Sequence, residues 1–223
     1  MIYTYYMDVR CLDNEALFRE KLALLSPYRQ QKVALLKHEK DKNRSLGAGI
    51  LLDHALKVYG LCERSIEYEI GNWGKPALKY HPEIHFSLSH SGDYAICSIG
   101  DRPVGNDIEY VKQGRLKVAD RFFAKEEQDW LYAAADEQEQ TKRMFRIWTM
   151  KESFMKVTGR GMSLPLMDFA IHVDEENERI RVRHKVDARY YHMKEYDEID
   201  CYCVSVCCQE SLDIAYDMIP VCA

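Results

Sequence analysis

Apolar and polar positions alternate with two different periods along this chain, and the switches between them mark its elements. Near the N-terminus, DNEALFREKLALLSP keeps its apolar residues on one helical face, with Asp13 or Asn14 as cap and a stop near Pro27. A second, short helix is predicted from Pro27 to Leu36. A longer one follows from Lys40 to Tyr59, with Leu46, Ile50 and Leu56 inward and Gly60 as terminator. GNWGKPAL (71–78) carries turn chemistry around Gly74 and Pro76. IHFSLSHS, YAICSIG and PVGNDIEYV then read as three strands, joined at Ser91-Gly92-Asp93 and Gly100-Asp101. A helix is predicted over 120–135, with Glu126 and Glu127 near the start of its RFFAKEEQDW opening. The acidic DEQEQ (136–140) reads as a solvated linker or a helix end, and FRIWTMKESFMKVTGRG (145–161) as a further helix. Strands are expected at 168–174, 179–185, 188–195, 200–208 and 212–218.

Helices then strands, twice over, predict an α+β fold of two similar halves with a seam near Gly100–Gly105. Short connections favour small, mainly antiparallel sheets packed with helices over βαβ units. No literal internal repeat is visible, so any duplication is structural only, and no segment is of low complexity.

Composition narrows the function classes. A chain of 223 residues can bury its core as one large domain or as two of about 110 residues each. A net charge of −5 and a pI near 5.9 argue against nonspecific nucleic-acid binding, which needs a basic surface. MIYTYYMDVR lacks the basic-then-apolar pattern of a signal peptide, and no apolar run approaches the roughly 18 residues of a membrane helix, so a cytoplasmic protein is expected. The eight cysteines include Cys201, Cys203, Cys207 and Cys208 in DCYCVSVCCQ, a strand-like run whose spacing matches no zinc knuckle or finger. They read as small apolar thiols in a reducing compartment.

Candidate chemistry concentrates in VGNDIE (104–109) and in the helix over 145–161. Strand geometry aims Asp107 and Glu109 at one face. At 3.6 residues per turn, Glu152 falls on the helix face that carries Phe145, Trp148 and Met155. A carboxylate facing a core is costly unless a cation meets it. Taken singly, Asp107 and Glu109 fit a solvated strand face, and Glu152 fits a pair with Lys156 one turn on. Together, with Lys151 and Lys156 nearby, they read as a divalent-metal and phosphate site, and all-oxygen ligands suit magnesium. Ser89 and His90 end a strand beside a tight glycine turn, which suits anion contact. Lys75 is held between a glycine and a proline. Arg29, Lys32 and Arg44 fit plain surface charges equally well, since their spacing does not show that they converge. No phosphate-loop, dinucleotide or serine-hydrolase motif is present.

At these residues the sequence resembles the 4′-phosphopantetheinyl transferases of the surfactin-synthetase-activating class, through FSLSHSGDY, VGNDIE, RFFAKEE and WTMKESFMKVTGRGMSLPL. The resemblance spans nearly the whole chain and is densest from Gly74 to Leu166. It implies a monomer of two pseudo-symmetric halves with coenzyme A between them. Residues 1–103 would contact the nucleotide, and 104–223 would carry the metal site and the carrier-protein docking surface. The implied reaction moves the 4′-phosphopantetheine arm of coenzyme A to a serine of an apo acyl or peptidyl carrier protein, releasing 3′,5′-ADP.

By the same resemblance, Mg2+ sits on Asp107, Glu109 and Glu152, and Lys156 neutralises the diphosphate, with Glu127 or Glu152 as general base. Arg29, Lys32, Ser45 and His90 face the 3′-phosphate, Lys75 lies against the nucleotide, and Arg44 and Ser89 complete the coenzyme contacts. The carrier docks around 111–124 and 159–190, with Met162, Leu164 and Leu166 as apolar contacts. The family position between Gly105 and Asp107 is usually apolar; here it is Asn106. The residues alone also admit another magnesium-dependent phosphoryl-transfer or hydrolytic enzyme, or a non-catalytic module that binds coenzyme A or a carrier. They do not choose among fatty-acid, polyketide and nonribosomal-peptide carriers.

Overall fold

A computed structural model of the chain describes residues 1–210 and 213–223. The first strand, β1 (Tyr3–Asp8), is an element the sequence pattern did not assign, formed by a run rich in tyrosine. Helix α1 (Glu15–Ala23) starts where the Asn14 side chain accepts the Leu17 N–H at 3.1 Å. Helix α2 (Pro27–Ala34) has Ser26 as cap and Pro27 at its first position, and α3 (Glu39–Leu56) runs through a short 3-10 turn to Gly60, whose φ of +70° favours glycine. A small hairpin, β2 (Tyr68–Ile70) and β3 (Pro76–Leu78), precedes the longer β4 (His85–Ser91) and β5 (Tyr94–Gly100).

The second half opens with β6 (Val104–Tyr110). The single helix expected over 120–135 is two: α4 (Lys117–Phe122) and α5 (Lys125–Tyr132). They break at Phe123, which is extended and fully buried. Of the two readings of DEQEQ, the helix end holds and the linker does not. Asp136 accepts the Glu139 N–H at 2.8 Å and caps α6 (Glu137–Thr158), so the acidic run is a helical first turn, where negative charge suits the dipole. After α6 come β7 (Ala170–Asp174), β8 (Arg179–Arg183), β9 (Tyr191–Tyr196) and β10 (Tyr202–Gln209). Of the strand expected at 212–218, Leu212 lies outside the described residues; the terminal strand is β11 (Ile219–Pro220).

The main sheets have orders β11-β1-β5-β4 and β6-β10-β9. Setting β11 aside, each half repeats one plan. A first strand is followed by helices ending in a long one, then by an antiparallel hairpin whose second strand inserts beside the first strand. The long helices, α3 and α6, each pack on the sheet of their own half. This is the fold class the pattern predicts, and the pairing is antiparallel except where β11 joins β1.

The halves are not separable at one cut near residue 103. The C-terminal tail returns to the first sheet, where Val221 N–H donates to Tyr6 O at 2.8 Å. A shared apolar seam also joins Ile2 and Ile96 of the first half to Val104, Ile108 and Val206 of the second. β4 crosses β6 at this junction, and Gly105 lets α6 come close: a Cβ there would lie 2.1 Å from Ser153 O.

Candidate active site

Period-two alternation along β6 sends Asp107 and Glu109 to one side and Asn106 and Ile108 to the other. Asp107 is buried. Its Oδ1 accepts from Ser89 Oγ at 2.6 Å and from the Lys156 ammonium at 2.7 Å, while its Oδ2 has no hydrogen-bond partner. Glu109 accepts from Ser91 Oγ at 2.8 Å, and burial together with Asp107 raises its carboxyl above the usual range. Glu152 reaches the same mouth from α6. Burial first, then the Asp107 charge, pushes its carboxyl up to about 7. The Asp107 charge thus raises the cost of ionising Glu109 and Glu152, and the ammonium of Lys156 is committed to Asp107 rather than to Glu152 one turn before it. Among the described residues no three His, Cys, Asp or Glu side chains are gathered into a ready-made metal cage, so the trio is an open acidic mouth.

Glu152 is one of the groups that make the stability of the metal-free protein depend on pH. Its raised pKa means the folded state holds a proton that the unfolded state has released. Its contribution is therefore fully present below the unfolded value of about 4.5 and is lost as pH rises through about 7. Stability of the parent should fall over that window by up to about 3 kcal/mol more than in Glu152→Gln, read from denaturant midpoints between pH 5 and 8.

Next to the acidic mouth lies a cleft of about 290 Å³ between the halves. Arg29 and Lys32 of α2, Ser45 of α3 and His90 of β4 line it from the first half. Lys75 comes from the β2–β3 turn, and Met155, Lys156, Gly159 and Gly161 from the end of α6. Five of its lining side chains are basic and none is acidic. Arg29 is buried, stacks on the Tyr68 ring with its guanidinium carbon 5.5 Å from the centroid, and has Nε 3.8 Å from Glu63. Its Nε and Nη2 have no hydrogen-bond partner. Burial depresses the Lys32 ammonium, with Arg29 adding to the effect, and burial holds His90 below the usual imidazole range. Unpaired buried N–H groups and crowded cations make an anion site that gains as soon as a phosphate arrives.

The structure brings Arg29, Lys32, Ser45, Lys75, His90 and Lys156 to this cleft, and Ser89, Asp107, Glu109 and Glu152 to the adjoining mouth. Other assignments move. Arg44 pairs with Asp41 and donates to Gly92 O at 2.9 Å, so it braces the β4–β5 turn instead of lining the cleft. Lys75 lines the cleft but donates to Val104 O at 2.7 Å and Lys156 O at 2.8 Å.

Glu127 is fully enclosed. It accepts from Ala124 N at 2.7 Å and Ile171 N at 2.7 Å, and it pairs with the buried Lys151 at 2.9 Å. Lys151 in turn donates to Leu166 O and Phe169 O. A general base must reach solvent or substrate, so this pair is a structural brace between α5, α6 and β7. Glu127→Ala should lower stability by about 3–5 kcal/mol through the stranded Lys151 charge, measured by chemical unfolding, and leave any folded fraction active.

Leu164 and Leu166 are core residues, while Met162 is 83% exposed. Sequence reasoning missed Glu63, the buried counter-charge of Arg29, for which no local signal exists. It also missed Trp73, 60% exposed on the cleft rim, which the turn GNWGKP could have indicated.

Asn106 is not at the acidic mouth. Its amide N–H2 donates to Ser87 O at 3.1 Å and Ser98 Oγ at 2.9 Å, and its backbone N–H donates to Ser87 Oγ at 3.0 Å. It ties β6 to the β4–β5 hairpin. Asn106→Leu should cost about 1–3 kcal/mol by leaving Ser87 O and Ser98 Oγ without that donor, and should leave magnesium affinity unchanged by calorimetry.

Comparisons with known proteins show which family the chain resembles in sequence. Residues 103–207, which include β6 and α6, match the family model described as the 4′-phosphopantetheinyl transferase superfamily. The chain is 36% identical to the 4′-phosphopantetheinyl transferase Sfp of Bacillus subtilis (strain 168), over 79% of this chain and 78% of that protein. It is 33% identical to the transferase ffp of Bacillus subtilis, over 92% and 91%. It is 30% identical to the transferase gsp of Aneurinibacillus migulanus, over 82% and 76%. A solved holo-(acyl-carrier-protein) synthase from Bacillus anthracis, in complex with CoA (3′,5′-ADP), aligns over 49% of this chain and 96% of its own at 16% identity and a TM-score of 0.42. Sequence identity of this depth over more than three quarters of the chain makes it a member of the 4′-phosphopantetheinyl transferase family.

Proposed function

We propose that coenzyme A lies in the basic cleft with its 3′-phosphate at Arg29, Lys32, Ser45 and His90 and its diphosphate beside Lys156 and the acidic mouth. The enzyme transfers the 4′-phosphopantetheine arm of coenzyme A to a serine of an apo carrier protein. The observation that carries the placement is Lys156, which lines the cleft while its ammonium bonds Asp107, so one cation joins the two sites.

The chemistry demanded is charge management. The diphosphate and 3′-phosphate together carry roughly four negative charges at neutral pH, and a serine oxygen must approach the pantetheine-side phosphorus against them, displacing the 5′-phosphate of 3′,5′-ADP. Arg29 offers its unpaired Nε–H and Nη2–H to the remote phosphate and so fixes the register of the substrate. Lys156 offsets charge at the diphosphate.

A divalent cation fits the acidic mouth: the unpartnered Oδ2 of Asp107 and the raised carboxyls of Glu109 and Glu152 are hard oxygens lacking positive charge. Those three residues would hold Mg2+, which when bound supplies Lewis-acid neutralisation of the diphosphate. Of the two carboxylates that could accept the serine proton, Glu127 is enclosed by Lys151, Ala124 and Ile171 whereas Glu152 is at the mouth, so Glu152 is the group placed to take it. The products are 3′,5′-ADP and the holo carrier.

The test is to incubate the enzyme with coenzyme A, MgCl2 and a panel of apo acyl and peptidyl carriers and to weigh the carriers. A gain of one phosphopantetheine arm, with 3′,5′-ADP released in equal amount, is expected. Release of inorganic phosphate without carrier modification would instead identify a hydrolase.

A further inference from the structure

β6 passes the last turns of α6 at backbone contact distance. A Cβ at Gly105 would lie 2.1 Å from Ser153 O, 2.5 Å from Val157 N and 3.0 Å from Lys156 Cβ, so strand and helix touch backbone to backbone. The Lys75 ammonium spans this crossing. It donates to Val104 O at 2.7 Å, at the opening of β6, and to Lys156 O at 2.8 Å, a carbonyl near the end of α6 that also accepts the Gly159 N–H at 3.2 Å. Lys75 itself belongs to the first half, on the β2–β3 hairpin. One side chain therefore ties three elements together, and two of its three N–H donors are used on backbone.

Both acceptors are one step from the chemistry. From the residue whose carbonyl Lys75 holds, the Lys156 side chain runs to Asn106 O at 2.9 Å, Asp107 Oδ1 at 2.7 Å and Ser89 Oγ at 3.1 Å. Val104 starts the strand that presents Asp107 and Glu109. We propose that Lys75 is a positioning residue: it staples the end of α6 to β6 so that Lys156 stays seated on Asp107, and it acts on transfer through Lys156 instead of by binding the coenzyme. The proposal rests on the role given to Lys156 above. Burial of the ammonium, with the Lys156 charge beside it, lowers Lys75 to about 8.

A coenzyme contact and a staple differ in kinetics. Loss of a contact to a remote phosphate raises KM for coenzyme A, whereas loss of the staple disorders the group that acts in the transition state and lowers kcat. The experiment is a double-mutant cycle with coenzyme A and an apo carrier, using the parent, Lys75→Met, Lys156→Met and the double variant. Lys75→Met is expected to lower kcat about tenfold with KM for coenzyme A within about threefold, and to have almost no further effect in the Lys156→Met background. A tenfold rise in KM at unchanged kcat, or losses that multiply fully, would overturn the staple while leaving the role of Lys156 intact. Full activity of Lys156→Met would remove the role of Lys156 itself, and the staple with it. Should Lys75→Met not fold, Lys75→Gln decides: it keeps a neutral N–H donor for the carbonyls, so KM for coenzyme A within about threefold of the parent is expected, and a rise of about tenfold overturns the proposal.

Discussion

Asp107→Asn is expected to lower kcat by at least about 100-fold at saturating coenzyme A and magnesium, with the fold preserved. Asparagine keeps the shape and an oxygen for Ser89 and Lys156, so the packing of β6 against β4 and α6 survives. What disappears is the charge. The Oδ2 of Asp107 has no hydrogen-bond partner and is free to meet a cation, and its loss removes compensation felt most as charge develops on the leaving 5′-phosphate of 3′,5′-ADP. Glu109→Gln and Glu152→Gln should act in the same direction for the same reason. The Asp107 charge also helps to raise Glu152, so Asp107→Asn should let the Glu152 carboxyl fall toward its ordinary value, an effect visible by carboxyl NMR titration. Melting curves separate lost chemistry from lost folding, and near-parent turnover at limiting magnesium would remove Asp107 from the metal site.

The second large effect concerns the far end of the coenzyme. Arg29, Lys32 and His90 are assigned to the 3′-phosphate, so coenzyme A should be a better substrate than its dephospho form. A charged hydrogen bond to phosphate is worth roughly 1.5–3 kcal/mol, or about ten- to a hundredfold in kcat/KM. The variant must respect Glu63, a buried carboxylate bonded by Ser26 and Tyr68 beside Arg29. Removing the guanidinium outright would strand that charge and cost stability. Arg29→Gln with Lys32→Ala keeps a neutral donor near Glu63 while removing both cations. The two donors should then become nearly equal in kcat/KM, mostly through KM for coenzyme A. If the variant still discriminates as sharply as the parent, the 3′-phosphate lies elsewhere.

Local periodicity made the acidic mouth legible. Asp107 and Glu109 share a strand face because side chains alternate, and Glu152 sits on the inward side of a long helix; neither inference needs tertiary knowledge. The fold class was legible for the same reason. Long-range partners were not. Nothing in the spacing of Arg29 announces that α2 buries it against Glu63, a residue of the loop after α3. Glu127 ends the family-like RFFAKEE run and looks available, yet Lys151, the residue before Glu152, points about 100° round α6 from it and closes on Glu127. Asn106 interrupts an apolar position, and only the crossing of β4 and β6 supplies Ser87 and Ser98 to satisfy it. β1 was overlooked because its tyrosines and a threonine leave no clean alternation, although its partner β5 buries it well.

The central claim is that one coenzyme A molecule spans the cleft, with its diphosphate at the acidic mouth and its 3′-phosphate at the basic wall. Phosphorus NMR of coenzyme A bound to the enzyme, with Mn2+ in place of Mg2+, tests it most directly, since paramagnetic broadening falls steeply with distance from the ion. The account predicts that the diphosphate resonances broaden far more than the 3′-phosphate resonance, and that the difference vanishes in Asp107→Asn. Equal broadening of all three phosphates, or stronger broadening of the 3′-phosphate, would contradict it.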